Sequence, residues 1–161
     1  MSFPAAEANK PLTQGRVYTL AAMWEWYRIG LFLGLGTAIG AAFAGLFAPR
    51  RALVAAVAVL AAVAAAAVGY AFFGWGEAVA GAIGGVLGTL AISGVVAGTL
   101  GRGGTRGGTA ALGVLAGVAL AVLALVPVVG FLEAVGMPVV AARARKRRPA
   151  RHAGLRSLAR D

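Results

Sequence analysis

Acid–base, nucleophilic or metal chemistry has little to draw on in this 161-residue chain: five acidic side chains, one histidine and no cysteine. Among the acids, Glu133 alone is flanked by apolar sequence on both sides, in Pro127-Val128-Val129-Gly130-Phe131-Leu132-Glu133-Ala134-Val135-Gly136-Met137-Pro138. An ionisable group in that setting reads as part of an ion pathway, a proton relay or a partner for a buried arginine. The plainer reading sets Glu133 just below a membrane interface, solvated or paired with Arg28. Glu25 and Glu77 stand beside tryptophans at expected helix starts, where a carboxylate favours the positive end of the helix. Glu25 also lies one turn before Arg28. Thr37, Thr89, Ser93 and Thr99 carry the hydroxyls that fall inside apolar stretches. Glu133, Ser93, Thr89 and Thr37 therefore form a candidate polar path, against the alternative that these hydroxyls bond to neighbouring helices or to their own backbone.

Catalysis requires at least two converging reactive groups. The apolar stretches contain no His, Lys, Asp, Cys or Asn, so the chain is not expected to be an enzyme. His152 sits in a basic tail and is expected to be exposed, and no metal or cofactor is anticipated. The glycine-rich run 101–108 lacks both the spacing of a phosphate-binding loop and a preceding strand, so it reads as a flexible turn.

The elements that must position these residues are four apolar stretches at about 29–48, 52–73, 78–100 and 110–131, none with an internal charge. Crossing the hydrocarbon core takes about 20 apolar residues, and each stretch meets that length. A composition of 60% hydrophobic residues, 25 glycines and 12% charge agrees with this class. The expected fold is an all-α integral membrane protein with four transmembrane helices in two hairpins. Residues 1–23 form a polar or interfacial N-terminal segment and 24–74 the first hairpin. Residues 75–141 form the second hairpin with a kinked extension, and 142–161 a basic cytoplasmic tail. Val17–Tyr27 is either a short surface helix or simply the start of the first span. The polar N-terminal segment does not resemble a cleavable signal, so the first span is expected to be retained as an anchor.

From Ala110 to Ala142 the apolar sequence is too long for one straight span. Proline removes a backbone donor and crowds the preceding turn, so helix breaks are expected at Pro127 and Pro138. Part of 132–142 is expected to lie on the inner surface. Counting Lys and Arg for four spans places Lys10, Arg16, Arg28 and the tail on one side, and Arg50, Arg51, Arg102 and Arg106 on the other. The positive-inside rule then sets both termini in the cytoplasm. Trp24, Trp26, Tyr27, Tyr70 and Trp75 fall at the same interface. The abundance of Ala, Gly, Val and Arg suggests a bacterial plasma (inner) membrane protein.

Small residues recur every four positions in the third stretch: Gly81, Gly85, Thr89, Ser93, Ala97 and Gly101, with Gly84, Gly88, Gly94 and Gly98 widening the face. Gly30 and Gly34, Gly36 and Gly40, and Gly113 and Gly117 repeat the pattern in the first and fourth. Such faces let helix backbones approach closely, either within one subunit or between copies. A weak repeat at an offset of 52 residues pairs Glu25 with Glu77, Leu35-Gly36-Thr37 with Leu87-Gly88-Thr89, and Arg50 with Arg102.

The tail run that includes Arg143, Arg145, Lys146, Arg147 and Arg148 resembles a nucleic-acid-binding segment in isolation. Directly after an apolar span it reads instead as a grip on anionic lipid headgroups, so membrane lipids and not nucleic acid are the expected partners. Two functions remain: a self-associating, channel-like permeation assembly, or a non-catalytic structural or accessory subunit of a larger membrane complex, its partner a second copy or another membrane protein.

Overall fold

The computed structural model describes residues 12–47, 53–126 and 128–146, with side chains from residue 19 to residue 143. Among these residues the chain is entirely helical, with α1 at Leu12–Phe47, α2 at Val54–Phe72, α3 at Trp75–Leu100, α4 at Arg106–Ala124 and α5 at Val129–Lys146. Four of the helices, α1 to α4, are long and apolar enough to cross a membrane. The tryptophan-rich segment Val17–Tyr27 is continuous with α1 and is not a separate surface helix.

Glycine decides how these helices meet. In lipid there is no hydrophobic force between apolar helices, so close backbone contact must hold them together. A methyl group on Gly36 or Gly40 would strike the Gly81 or Gly85 carbonyl of α3, and one on Gly84 or Gly88 would strike the Leu33 or Thr37 carbonyl of α1. These contacts ascend both helices in the same order, so α1 and α3 run parallel. On the far side of α3, a methyl on Gly81 or Gly85 would sit 2.6 or 2.8 Å from the Ala65 or Ala61 carbonyl oxygen, making α2 antiparallel. Gly113 abuts Gly45, Gly117 abuts Ala38 and Ala42, and Ala124 reaches Gly34, so α4 runs antiparallel along α1. The two central helices are therefore α1 and α3, each touching all the others. Gly81, Gly84, Gly85, Gly88, Gly113 and Gly117 all lie at helix contacts within one subunit, while Gly94 and Gly98 are half-buried.

The bundle has two chemically distinct ends. Trp24 lies tilted against Tyr27, Tyr70 meets Trp75 edge-on, and Phe32 meets Phe73, which gathers these tryptophans and tyrosines at one end, while Phe43 pairs with Phe47 toward the other. A small-residue core of Ala38, Ala41, Ala44, Val57, Ile92, Val96 and Leu120 fills the other half. At that second end Gly104 N–H returns to the Thr99 carbonyl, Gly103 takes φ 84°, and Thr105 caps α4 by accepting from the Gly108 amide at 3.1 Å. The glycine-rich segment is consequently a tight five-residue turn over 101–105, shorter than the 101–108 loop expected.

The last apolar segment departs furthest from expectation. It is not a kinked extension of α4 but a helix that reverses direction. Gly34 faces Ala124 of α4 and also Gly130 and Glu133 of α5, so the chain turns round beside it. Gly130 backs onto Gly30, Glu133 lies at Gly34, and Met137 packs against the core cluster that begins at Ala38. The seven steps from Gly130 to Met137, about 10 Å at 1.5 Å per residue, thus run alongside α1 in its own direction. Nor does this helix lie on a surface. Leu132, Val135, Val139 and Val140 are each at least half exposed, and between Val129 and Ala142 the sole polar side chain, Glu133, faces inward. A surface helix needs a polar outer face. The break expected at Pro138 is also absent, since α5 continues through it. One missing backbone bond does not end a helix that α1 and α3 hold in place. Pro127 lies outside the described residues, though α4 ends three residues before it.

Enlarging Gly84 to leucine is expected to cost about 1–3 kcal/mol through overpacking against the α1 backbone. Gly136→Ala, where an added methyl meets nothing within 4 Å, serves as the neutral control. Thermal or denaturant unfolding in detergent micelles measures both.

Candidate functional site

Charged and polar side chains gather where α1, α3 and the α4–α5 turn meet at the aromatic end. Arg28 on α1 forms an ion pair with Glu77 on α3, and its guanidinium lies 4.5 Å from the Phe73 ring centroid. Glu77 belongs to the first turn of α3, as a capping carboxylate would, but its partner is a side chain across the bundle. The parallel packing of α1 and α3 explains this pairing. A register of 49 residues brings Arg28 to Glu77 and also Gly40 to Thr89. Glu25, the other anticipated partner of Arg28, is exposed.

Glu133 is neither solvated nor paired with Arg28. It is only 8% exposed, and both carboxyl oxygens are buried with no hydrogen-bond partner among the described residues. The surrounding geometry is apolar: Gly34 beneath Oε2, Ala124 and Gly130 beside it, and Phe131 lying over Gly30. An ionised carboxylate there has no donor or cation to offset its lost hydration, and a neutral carboxyl has no acceptor for its proton. The turn that delivers it is strained, because Val128, a β-branched residue, takes φ 74°. Tyr27 secures that turn by donating to the Leu125 carbonyl at 3.0 Å. Beside the turn opens an apolar groove of about 690 Å³ whose lining includes Leu20, Met23, Trp26, Val128 and Phe131.

The hydroxyls of the candidate path do not join Glu133. Thr37 donates to the Leu33 carbonyl at 2.9 Å and is fully buried. Thr89, also fully buried, donates to the Gly85 carbonyl at 2.9 Å and stands 3.2 Å from the Gly40 carbonyl oxygen of α1. Ser93 donates to the Leu90 carbonyl at 3.0 Å. Each proton is spent on backbone, and Thr89 lies within the dry seam between α1 and α3. The two Gly-Thr pairs of the 52-residue repeat do meet there, with Gly88 against Thr37. Among the described residues no group of His, Cys, Asp and Glu is arranged to hold a metal ion. Arg143 is exposed near the end of α5; the side chains of Arg145 and Lys146, and all of Arg147 and Arg148, lie outside the described residues.

Comparison of the chain with protein families, with characterised proteins and with solved structures gives no match. The site therefore stands on its own chemistry. Its two features are a cross-bundle ion pair, in which Arg28 Nε is buried without a hydrogen-bond partner among the described residues, and, on the neighbouring helix, an unpaired carboxyl. Sequence reasoning singled out Glu133 but missed the Arg28–Glu77 pair. No local pattern signals it, because the pairing spans 49 residues and depends on the register of α1 against α3.

Glu133→Met keeps the volume and removes the unpartnered polar group, so it is expected to raise the unfolding midpoint in micelles. Glu77→Gln leaves Arg28 without its counter-charge and is expected to cost about 3 kcal/mol. Combining Glu77→Leu with Arg28→Met recovers part of that loss in a double-mutant cycle.

Proposed function

We propose that this is a non-catalytic polytopic membrane protein that acts as a structural or accessory subunit, its partner another component of the bacterial plasma membrane. One observation carries the proposal: the small-residue face from Gly81 to Gly88 and the buried hydroxyls are engaged inside a single bundle. A pore needs polar groups turned toward a wet axis, and Thr37, Thr89 and Ser93 all turn to backbone carbonyls. What remains for a partner is the apolar exterior of α2, α4 and α5 and the basic tail. Valines and leucines such as Val63, Leu115, Val122 and Val135 are at least 60% exposed there. Those surfaces suit lipid or the flank of another membrane protein, and the tail suits anionic headgroups.

A second reading keeps the permeation assembly, and one observation favours it. Glu133 is buried and unpaired in the first turns of α5, just past a strained turn, a setting in which membrane proteins carry protons or ions. In that reading several copies enclose a path and Glu133 guards one mouth.

Native mass spectrometry of the protein released from lipid nanodiscs, combined with proton and cation flux in liposomes, separates the two. The accessory reading expects a monomer with no flux above that of empty vesicles. A defined homo-oligomer whose flux falls in Glu133→Gln would overturn it in favour of permeation.

A further inference from the structure

The reversal at Gly34 changes how often the chain crosses the membrane. With α1 and α3 parallel, and α2 and α4 antiparallel to them, α5 is the third helix to travel from the aromatic end toward the other. The contacts also fix how far it travels. Glu133 is level with Gly34, thirteen residues before the end of α1 at Phe47; thirteen residues beyond Glu133, α5 ends at Lys146. The two helices therefore finish at the same height. The 18 residues of α5 span about 27 Å, of which the fourteen before Arg143 cover about 21 Å, less apolar length than α2 or α4 present. From Leu132 to Val140 its exposed large side chains are valine and leucine, which only lipid or another apolar surface tolerates. Its basic residues begin at Arg143, in the last turn, where long side chains reach the headgroups.

We propose that α5 is a fifth crossing, so that the termini lie on opposite sides and the end of the bundle reached by Phe47, Leu100 and Lys146 is a single basic surface seated on the anionic headgroups of the cytoplasmic leaflet. The distribution of charge supports this. With five crossings, Lys10, Arg16 and Arg28 are on the N-terminal side, together with the connectors at 73–74 and 125–128, which carry no charge at all. The other twelve of the fifteen Lys and Arg residues share the opposite side: Arg50 and Arg51 between α1 and α2, Arg102 and Arg106 between α3 and α4, and eight from Arg143 onward. Glu7, Glu25 and Glu77 belong to the N-terminal side, Glu133 lies inside α5, and only Asp161 accompanies the twelve bases. A four-crossing chain leaves arginines in both of its outer connectors, whereas five crossings collect every basic connector on one face. Cytoplasmic loops retain Lys and Arg, so that face is cytoplasmic and the N terminus is outside, the reverse of the orientation expected for four spans. The inference is independent of whether the protein acts as an accessory subunit or as a permeation assembly.

The absence of native cysteine makes the test direct. Three full-length variants, S2C, G107C and S157C, each carry one thiol. Gly107 is exposed, and a side chain there meets nothing within 4 Å. Each variant is treated with a membrane-impermeant maleimide in intact cells, or spheroplasts where a cell envelope blocks access, and again after lysis. S2C is expected to label before lysis, while G107C and S157C label only after it. If S2C and S157C label from the same side, α5 does not cross and the proposal fails. If instead G107C and S157C both label in intact cells, five crossings stand but the basic surface is not cytoplasmic, and the headgroup assignment is overturned.

Discussion

The rest of this structure depends on the closeness of α1 and α3. Helices in lipid gain nothing from hiding apolar surface from one another, so contact must come from backbone atoms brought within van der Waals range. Gly36, Gly40, Gly84 and Gly88 make that possible by presenting no side chain where the opposing carbonyls lie. Once α1 and α3 are locked in a parallel register of 49 residues, much else is determined. Arg28 arrives at Glu77, Thr89 arrives at the Gly40 carbonyl, and the flanks of the pair become the surfaces on which α2, α4 and α5 are laid.

That frame also accounts for where polarity is tolerated. The arginine–glutamate pair bridges the seam and rests on an aromatic ring, each charge offsetting the other at the place the glycine register brings them together. Glu133 has no such arrangement. It is carried into apolar surroundings by a helix whose direction is set by Gly130 meeting Gly30, not by anything the carboxyl itself gains. The buried hydroxyls are different again. Each reaches one turn back to a carbonyl of its own helix, which makes a polar side chain behave as a small apolar one.

Much of this was legible in the sequence, and the parts that were not share a cause. Length and the absence of charge disclose the helices α1 to α4, and the four-residue spacing of small residues discloses which faces are bare. The same spacing does not say whether a bare face meets its own chain or another, and here Gly81 through Gly88 meet their own. Glu133 stands out as the one acid in apolar surroundings, but the sequence does not say that the segment after Pro127 folds back along α1 and carries it to Gly34. The reversal depends on Gly34 serving two helices at once, a three-dimensional coincidence that no local pattern encodes. The partner of Arg28 was misassigned for a related reason. Counting along one helix favours Glu25, whereas the ion pair spans 49 residues and depends on a register that only packing sets.

The core cluster of alanines, with the glycines around it, has a consequence for how the chain tolerates change. Ala38, Ala41 and Ala44 have no side-chain rotamers to immobilise, so ordering them costs only backbone freedom. The usual injury to a protein interior, a large side chain cut down to leave a void, has few targets along the α1–α3 seam. Injury there comes from the opposite direction, through added bulk. Every single-nucleotide missense change in a glycine codon adds volume, so the stretch of α3 from Gly81 to Gly88 has almost no harmless neighbours in sequence space. A population of such genes would show drift on the lipid-facing valines and leucines and near silence along the seam.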